Sequence, residues 1–190
     1  QGNLKAAKGA FLRALDLDAD NLEALCGLSS MPATSVRPQV AFACAEKAAQ
    51  LAPDTIQVQL GYATWLEKRR RLDEAETRLL RVLKKAPRHP GAHVVLARID
   101  LAKGQFEAAR ARLTKLVAQA DLPATTLHDA YAILGKALDK LGAYKDAFIA
   151  FEHKNQALLN RPESRRLAVD LVPNIIRDTQ AWVEDSGPAA

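Results

Sequence analysis

The residues that could perform chemistry are few and widely spaced in this sequence. Gly135-Lys136 lacks both the glycine five positions earlier and the following Ser or Thr that a phosphate-binding loop requires. His89 and His93 are four residues apart, which suits zinc on one continuous helix, but a Pro-Gly pair separates them and no third ligand is near. We therefore expect no nucleotide loop, no metal site and no cofactor.

Candidate nucleophiles and acid/base groups are equally isolated. The sequence shows no histidine and acid that would form a catalytic triad with Ser29 or Ser30. We therefore interpret these serines as residues at a helix end. The carboxylates lie among basic residues at helical spacing, which indicates solvated faces with local ion pairs of about 0.2–0.5 kcal/mol each. Examples are Glu74, Glu76, Glu107 and Asp146. We expect no catalytic residue and no enzyme activity in this chain.

Basic residues exceed acidic ones by 27 to 22, a formal net charge of +5. The strongest clusters, Lys68 to Arg71 and Lys84-Lys85, fall where helices are expected to end, and cations are favourable there in themselves. A nucleic-acid surface would need interleaved aromatic residues or a continuous basic stripe, so we expect no nucleic-acid partner. Attachment to a membrane or nucleic acid through residues 68–71 is the alternative, and it predicts strongly salt-dependent binding.

The chain has 190 residues, enough for one compact domain or a short repeat array. Its longest apolar runs are far shorter than the roughly 18 residues of a membrane-spanning helix. Cys26 and Cys44 show neither metal-ligand nor disulfide-scaffold spacing, so we expect free thiols in the reducing cytoplasm. Because the chain begins at Gln1 without an initiator Met or a leader, we interpret it as a trimmed chain, a fragment or a processed product.

A repeat of 34 residues organises the sequence. Ala7, Ala41, Ala75 and Ala109 are each 34 residues apart, and Ala147 follows after 38. We expect the four extra residues to lengthen a turn near residues 122–125. Within each unit the apolar spacing is helical and breaks near the middle, which predicts two helices. Two glycines at equivalent breaks indicate turns with positive φ, and two prolines follow the second helices; these are Gly104, Gly142, Pro53 and Pro87.

The clearest copy of the repeat reads Tyr131-x2-Leu134-Gly135-x2-Leu138, followed by Gly142-x-Tyr144-x2-Ala147-x3-Phe151. This pattern resembles the tetratricopeptide repeat family. Small residues in it allow neighbouring helices to approach closely, while large ones fill the space between them. The resemblance implies an all-α fold, a right-handed α-solenoid of helix-turn-helix repeats with a C-terminal capping helix.

The predicted boundaries follow from this register. We place a half repeat at 1–21, full repeats at 22–55, 56–89, 90–127 and 128–161, an amphipathic capping segment at 162–184 and a linker at 185–190. The first helix of repeat 22–55 is expected to be short because Met31-Pro32 follows Ser30. A repeat array needs an atypical element to cover its last open face, and the capping segment suits that role.

Binding residues follow from the resemblance alone. Family members bind peptides or partner domains on a concave face lined by the first helices, and we predict a protein-interaction scaffold of this kind with no chemistry of its own. The family's asparagine-and-lysine clamp is not matched, but Arg98 and Lys136 suit an acidic peptide. The inward positions correspond to Gln57, Leu60, Thr64, Glu67, Lys68, Val94, Arg98, Leu101, Asp129, Ala132, Lys136, Asp139 and Lys140.

A narrower resemblance gives an alternative. Residues 97–113, 134–148 and 148–155 are similar to the repeat region that precedes the catalytic domain of bacterial tetratricopeptide sulfotransferases. This would make the chain a non-catalytic N-terminal accessory region, with a downstream catalytic domain of the same polypeptide beyond residue 190.

Overall fold

The structure is a computed structural model that describes residues 2–159. The predicted capping segment at 162–184 and linker at 185–190 lie outside these residues. The chain divides into two compact units between Gln105 and Phe106, and each is described by itself. Within residues 2–159 all regular structure is α-helical, which confirms the predicted all-α class. None of the described helices is long and apolar enough to cross a membrane.

The first unit contains six helices joined by short turns. Each helix packs on its neighbours in the sequence, and α4 also packs on α2 and α6. The unit is therefore a series of helical hairpins in which the first helix of each hairpin contacts the next first helix. Its helices are α1 (Gly2–Leu17), α2 (Leu22–Ser30), α3 (Pro38–Leu51), α4 (Ile56–Lys68), α5 (Leu72–Lys85) and α6 (Pro90–Ala102).

The second unit contains three described helices, α7 (Phe106–Val117), α8 (Ala124–Lys140) and α9 (Tyr144–Leu159). α8 packs on both α7 and α9. The expectation that the four extra residues lengthen a turn holds in part, because the connection before α8 has six residues (118–123) where that before α6 has four (86–89). α8 begins 34 residues after α6 but has 17 residues where α6 has 13, so the insertion adds about one turn of helix. A full turn keeps the same side of α8 facing its neighbours.

The aligned alanines lie where helices meet. Ala41, Ala75, Ala109 and Ala147 are all buried, and Ala7 is half-buried. Gly135 has the same function in the second unit, because a Cβ placed on it would lie 2.6 Å from Cε1 of Phe151. Small side chains therefore set how closely the paired helices approach.

Three turns between successive helices repeat one backbone geometry. Gly104 and Gly142 adopt φ values of 76° and 75°, as predicted. Arg70 occupies the equivalent position after α4 with φ 63°, in the left-handed region that favours glycine. Each turn closes as a Schellman motif, in which a backbone N–H donates to a carbonyl five residues earlier. These bonds are Arg71 to Leu66 (2.9 Å), Gln105 to Asp100 (2.8 Å) and Ala143 to Leu138 (2.9 Å).

α2 is short, as the sequence predicts. It has nine residues, and Asn21 caps its start by accepting a hydrogen bond from the Ala24 N–H at 2.9 Å. The chain leaves the helix at Met31, whose extended backbone precedes Pro32. The Ser29 hydroxyl donates to the Cys26 carbonyl at 2.8 Å, a helix-end role rather than that of a nucleophile.

Candidate functional site

Eight predicted inward residues lie on α4 and α6 in the first unit, and we call the surface of the seven other than Glu67 the α4–α6 face. Gln57 and Lys68 are exposed, while most of the others are half-buried. Val94 is only 5% exposed, so it belongs to the packing between helices more than to a binding surface. The face comprises Gln57, Leu60, Thr64 and Lys68 on α4 with Val94, Arg98 and Leu101 on α6.

Leu60 and Gly91 bring the two helices together at one end of this face. A Cβ on Gly91 would lie 3.2 Å from Cδ2 of Leu60, which is tighter than ordinary van der Waals contact. Leu60 therefore packs over the start of α6, and its remaining exposed surface is an apolar patch beside Gln57.

Arg98 is already engaged within the protein. Its Nη2 lies 3.3 Å from Oε2 of Glu67, and the two side chains retain 32% and 17% of their exposure. The Nε of Arg98 is buried and has no hydrogen-bond partner. A carboxylate ligand would have to compete with Glu67 for this guanidinium, so the centre of the face is close to neutral.

Trp65 is half-buried next to this face and is not among the predicted contacts. Its indole Nε1 donates to the Ser29 carbonyl at 3.0 Å and so ties α4 to α2. The Nζ of Lys68 lies 4.8 Å from the centre of the indole ring, a cation–π distance. The spacing of Trp65 and Lys68, three residues apart on a predicted helix, is the sequence feature that could have predicted this contact.

The middle of α4 leaves open space on the same side. A Cβ placed on Gly61 would meet no other atom within 4 Å. The neighbouring Thr64 hydroxyl donates to the Leu60 carbonyl at 2.9 Å, so its oxygen remains available as an acceptor. Exposed backbone at Gly61 allows another chain to approach α4 closely.

The remaining predicted contacts belong to the second unit. Asp129, Lys136 and Lys140 are exposed on α8, together with Asp139, while Ala132 is half-buried. Among residues 2–159, neither lysine makes an ion pair.

The basic cluster after α4 is largely occupied by contacts inside the protein. Arg71 makes two hydrogen bonds to the Glu74 carboxylate at 2.6 and 2.7 Å, and Arg69 lies 4.3 Å from the ring centre of Phe42. The hydrogen bond to Arg71 holds the pKa of Glu74 below its ordinary value. These contacts hold Arg69 and Arg71 against the turn that follows α4.

Two histidines and two cysteines have structural surroundings. Nδ1 of His89 accepts from the Ala92 N–H at 3.2 Å and caps α6, while Nε2 of His93 lies 2.8 Å from the Pro87 carbonyl. Cys26 and Cys44 are free, and burial raises the pKa of both thiols. Over the described part of the chain, no three metal-ligating side chains come together.

Comparisons with known proteins agree with this geometry. Residues 81–128 match the family model described as "Tetratricopeptide repeat". Among curated proteins, none matches the sequence. Solved structures of MamA are similar: the AMB-1 form has a TM-score of 0.64 at 16% identity, covering 84% of this chain and 92% of that one.

A second MamA structure has a TM-score of 0.62 at 18% identity, covering 82% and 83% of the two chains. PilW, described as a widely conserved type IV pilus biogenesis factor, has a TM-score of 0.59 at 24% identity, covering 85% of this chain and 73% of PilW. At these identities the likeness establishes the fold, an all-α array of helical hairpins.

Proposed function

We propose that this chain is a protein-interaction scaffold whose first unit binds a partner segment on the α4–α6 face. The supporting observation is the open backbone at Gly61, flanked by the half-buried Leu60 and the Thr64 acceptor. An interior helical glycine costs roughly 0.5–1 kcal/mol relative to alanine. Close approach of a partner is a functional reason to keep it.

The chemistry of the face suits a peptide of mixed character. Leu60 and Leu101 offer apolar contact, Gln57 and Thr64 offer hydrogen bonds, and Lys68 offers an exposed cation beside an indole ring. Because Glu67 neutralises Arg98, an acidic group on the partner would be attracted mainly to Lys68. In the second unit Asp129, Lys136 and Lys140 remain proposed contacts, and the two lysines favour an acidic segment there.

Site-specific photo-crosslinking tests this proposal. A photoreactive amino acid at Thr64 or Lys68 should capture a discrete partner. The experiment is done in cells, because the two free thiols lead us to propose that the protein acts in the reducing cytoplasm. Matched positions on the exposed surface of α5, Thr77 and Arg81, should not capture it. Equal capture from α4 and α5 would reject the α4–α6 face as the binding site.

The sulfotransferase alternative stays a proposal based on sequence resemblance. The similar structures are those of MamA and PilW, and neither protein is described as a sulfotransferase. Sequencing the full gene decides it, because the alternative requires an α/β nucleotide-binding domain encoded beyond residue 190. A gene that encodes no such domain would eliminate it without affecting the scaffold proposal.

A further inference from the structure

A cavity of about 280 Å³ lies beside α5 in the first unit. Residues of α4, of α5 and of the turn between α3 and α4 line it, and none of them belongs to the α4–α6 face. Its apolar wall is formed by Pro53, Ile56 and Val82. Because small-molecule sites have volumes of roughly 300–1,000 Å³, this cavity suits a compact ligand.

The remaining wall of the cavity is strongly basic. Four cations of α5 line it: Arg78, Arg81, Lys84 and Lys85. Lys85 is paired with Asp54, which also lines the cavity, and its Nζ lies 3.3 Å from the Asp54 carbonyl oxygen. Within residues 2–159, Arg78, Arg81 and Lys84 make no ion pair. Three cations without a carboxylate partner therefore surround one cavity.

The position of these cations in α5 is not explained by helix stability alone. Arg78, Arg81 and Lys84 follow one another at intervals of three residues, so they lie on neighbouring turns and like charges repel. Lys84 and Lys85 are in the last turn, where cations are favourable. Arg78 and Arg81 precede that turn and gain little from it. An anion in the cavity would offset the repulsion.

The Arg78 side chain is held in place by its neighbours. It is half-buried, its Nη1 donates to Oε1 of Gln59 at 2.8 Å, and its guanidinium lies 4.5 Å from the centre of the Tyr62 ring. Glu74, one turn earlier, is already bound by Arg71. A guanidinium has five N–H donors, and Gln59 takes one of them. A cation that is already ordered binds an anion at a lower entropic cost.

We propose that this cavity binds a small organic phosphate ester. The phosphate would contact Arg78, Arg81 and Lys84, and the organic part would pack on Ile56 and Val82. A phosphate monoester carries a charge of about −1.5 to −2 at neutral pH, which matches several cations better than one carboxylate does. The apolar wall provides a contact that inorganic phosphate cannot make. The small volume favours such a molecule over a protein segment.

Isothermal titration calorimetry of the full chain with phenyl phosphate tests this site. Arg81→Gln and Lys84→Gln should each weaken binding by about tenfold, the effect of losing one charge-assisted hydrogen bond. Arg78 stays unchanged in these variants because it also holds Gln59. The matched controls, Arg13→Gln and Lys5→Gln, remove the same charges from the exposed surface of α1. They should change the dissociation constant by less than about twofold at physiological ionic strength, where distant charges are screened.

Inorganic phosphate and a hexaglutamate peptide are the competing probes. We expect phenyl phosphate to bind about tenfold more tightly than inorganic phosphate, because its ring is removed from water against the apolar wall. Equal affinity for the two, or no measurable binding of phenyl phosphate, would overturn the proposal. Equal weakening by the α1 and α5 variants would do the same. Tighter binding of hexaglutamate, lost in the α5 variants, would assign the cavity to an acidic protein segment instead.

Discussion

At the scale of single residues, the packing of Gly135 on Phe151 leaves no room for a side chain at position 135. A methyl group at position 135 would lie 2.6 Å from the ring, so Gly135→Ala should destabilise the protein by about 1–3 kcal/mol. Phe151→Ala should cost about 3 kcal/mol, at the low end for a large aromatic because its ring is only half-buried.

The double variant separates overpacking from a general loss of structure. With Phe151 truncated, the Gly135→Ala methyl group fills space instead of colliding, so it should become neutral or favourable. Urea unfolding of the four proteins measures the coupling free energy. Additive effects would show that the two residues are not in contact. Lys145→Ala, on the exposed side of α9, should change stability very little.

Arg70 gives a residue-scale prediction of the opposite sign. It holds φ 63° where the equivalent turns use Gly104 and Gly142. Arg70→Gly should therefore stabilise the fold by about 1 kcal/mol, the usual steric cost of the left-handed region for a residue with a Cβ. Gly104→Ala is the matched reverse change and should destabilise by a similar amount. A thermal unfolding shift of the same sign for both variants would contradict this account.

At the scale of elements, Gln59 joins three helices of the first unit. Its Nε2 donates to the carbonyls of Ala49 and Ala52 at the end of α3, at 3.0 and 3.3 Å, and its Oε1 accepts from Arg78 of α5 at 2.8 Å. Carbonyls at a helix end have no partner within the helix, so this buried amide supplies one. Gln59 is therefore a structural link between hairpins.

Gln59→Leu should cost about 1–3 kcal/mol, because a side chain of similar size leaves these buried polar groups without their partner. Gln57→Leu is the matched control on the exposed side of the same helix and should stay within about 0.5 kcal/mol of the parent. Urea unfolding of both variants is the measurement. Equal effects would show that the amide has no special role.

The helices and turns also show which features of the fold can be predicted from the sequence. The spacing of small residues predicted paired helices and the two turns at Gly104 and Gly142, because buried alanines at helix contacts and glycines at positive φ recur at fixed intervals. The spacing did not predict that α8 itself is four residues longer than α6, since a whole extra turn keeps the same side of the helix facing its neighbours. The pairing of Arg98 with Glu67 and the position of Trp65 depend on contacts between helices, which no single-helix pattern encodes.

At the scale of the whole molecule, the aligned alanines allow helices to pack closely as hairpins. In the first unit this packing places α4 beside α6, and their shared surface is the proposed binding face. Two of the titratable side chains considered for chemistry have structural roles. His89 caps α6, and Arg71 binds Glu74. What the first unit offers to another molecule is a surface with an open backbone stretch at Gly61. The proposed function is therefore recognition.

The most direct test is the dissociation constant of the captured partner for variants of the α4–α6 face and for matched variants of α5. Thr64→Arg and Lys68→Glu should each weaken binding by about 30-fold, the effect of losing a central contact of roughly 2 kcal/mol. Thr77→Arg and Lys84→Glu, on the exposed surface of α5, should leave the dissociation constant unchanged. Equal loss of affinity in both sets, or loss only in the α5 set, would contradict the account.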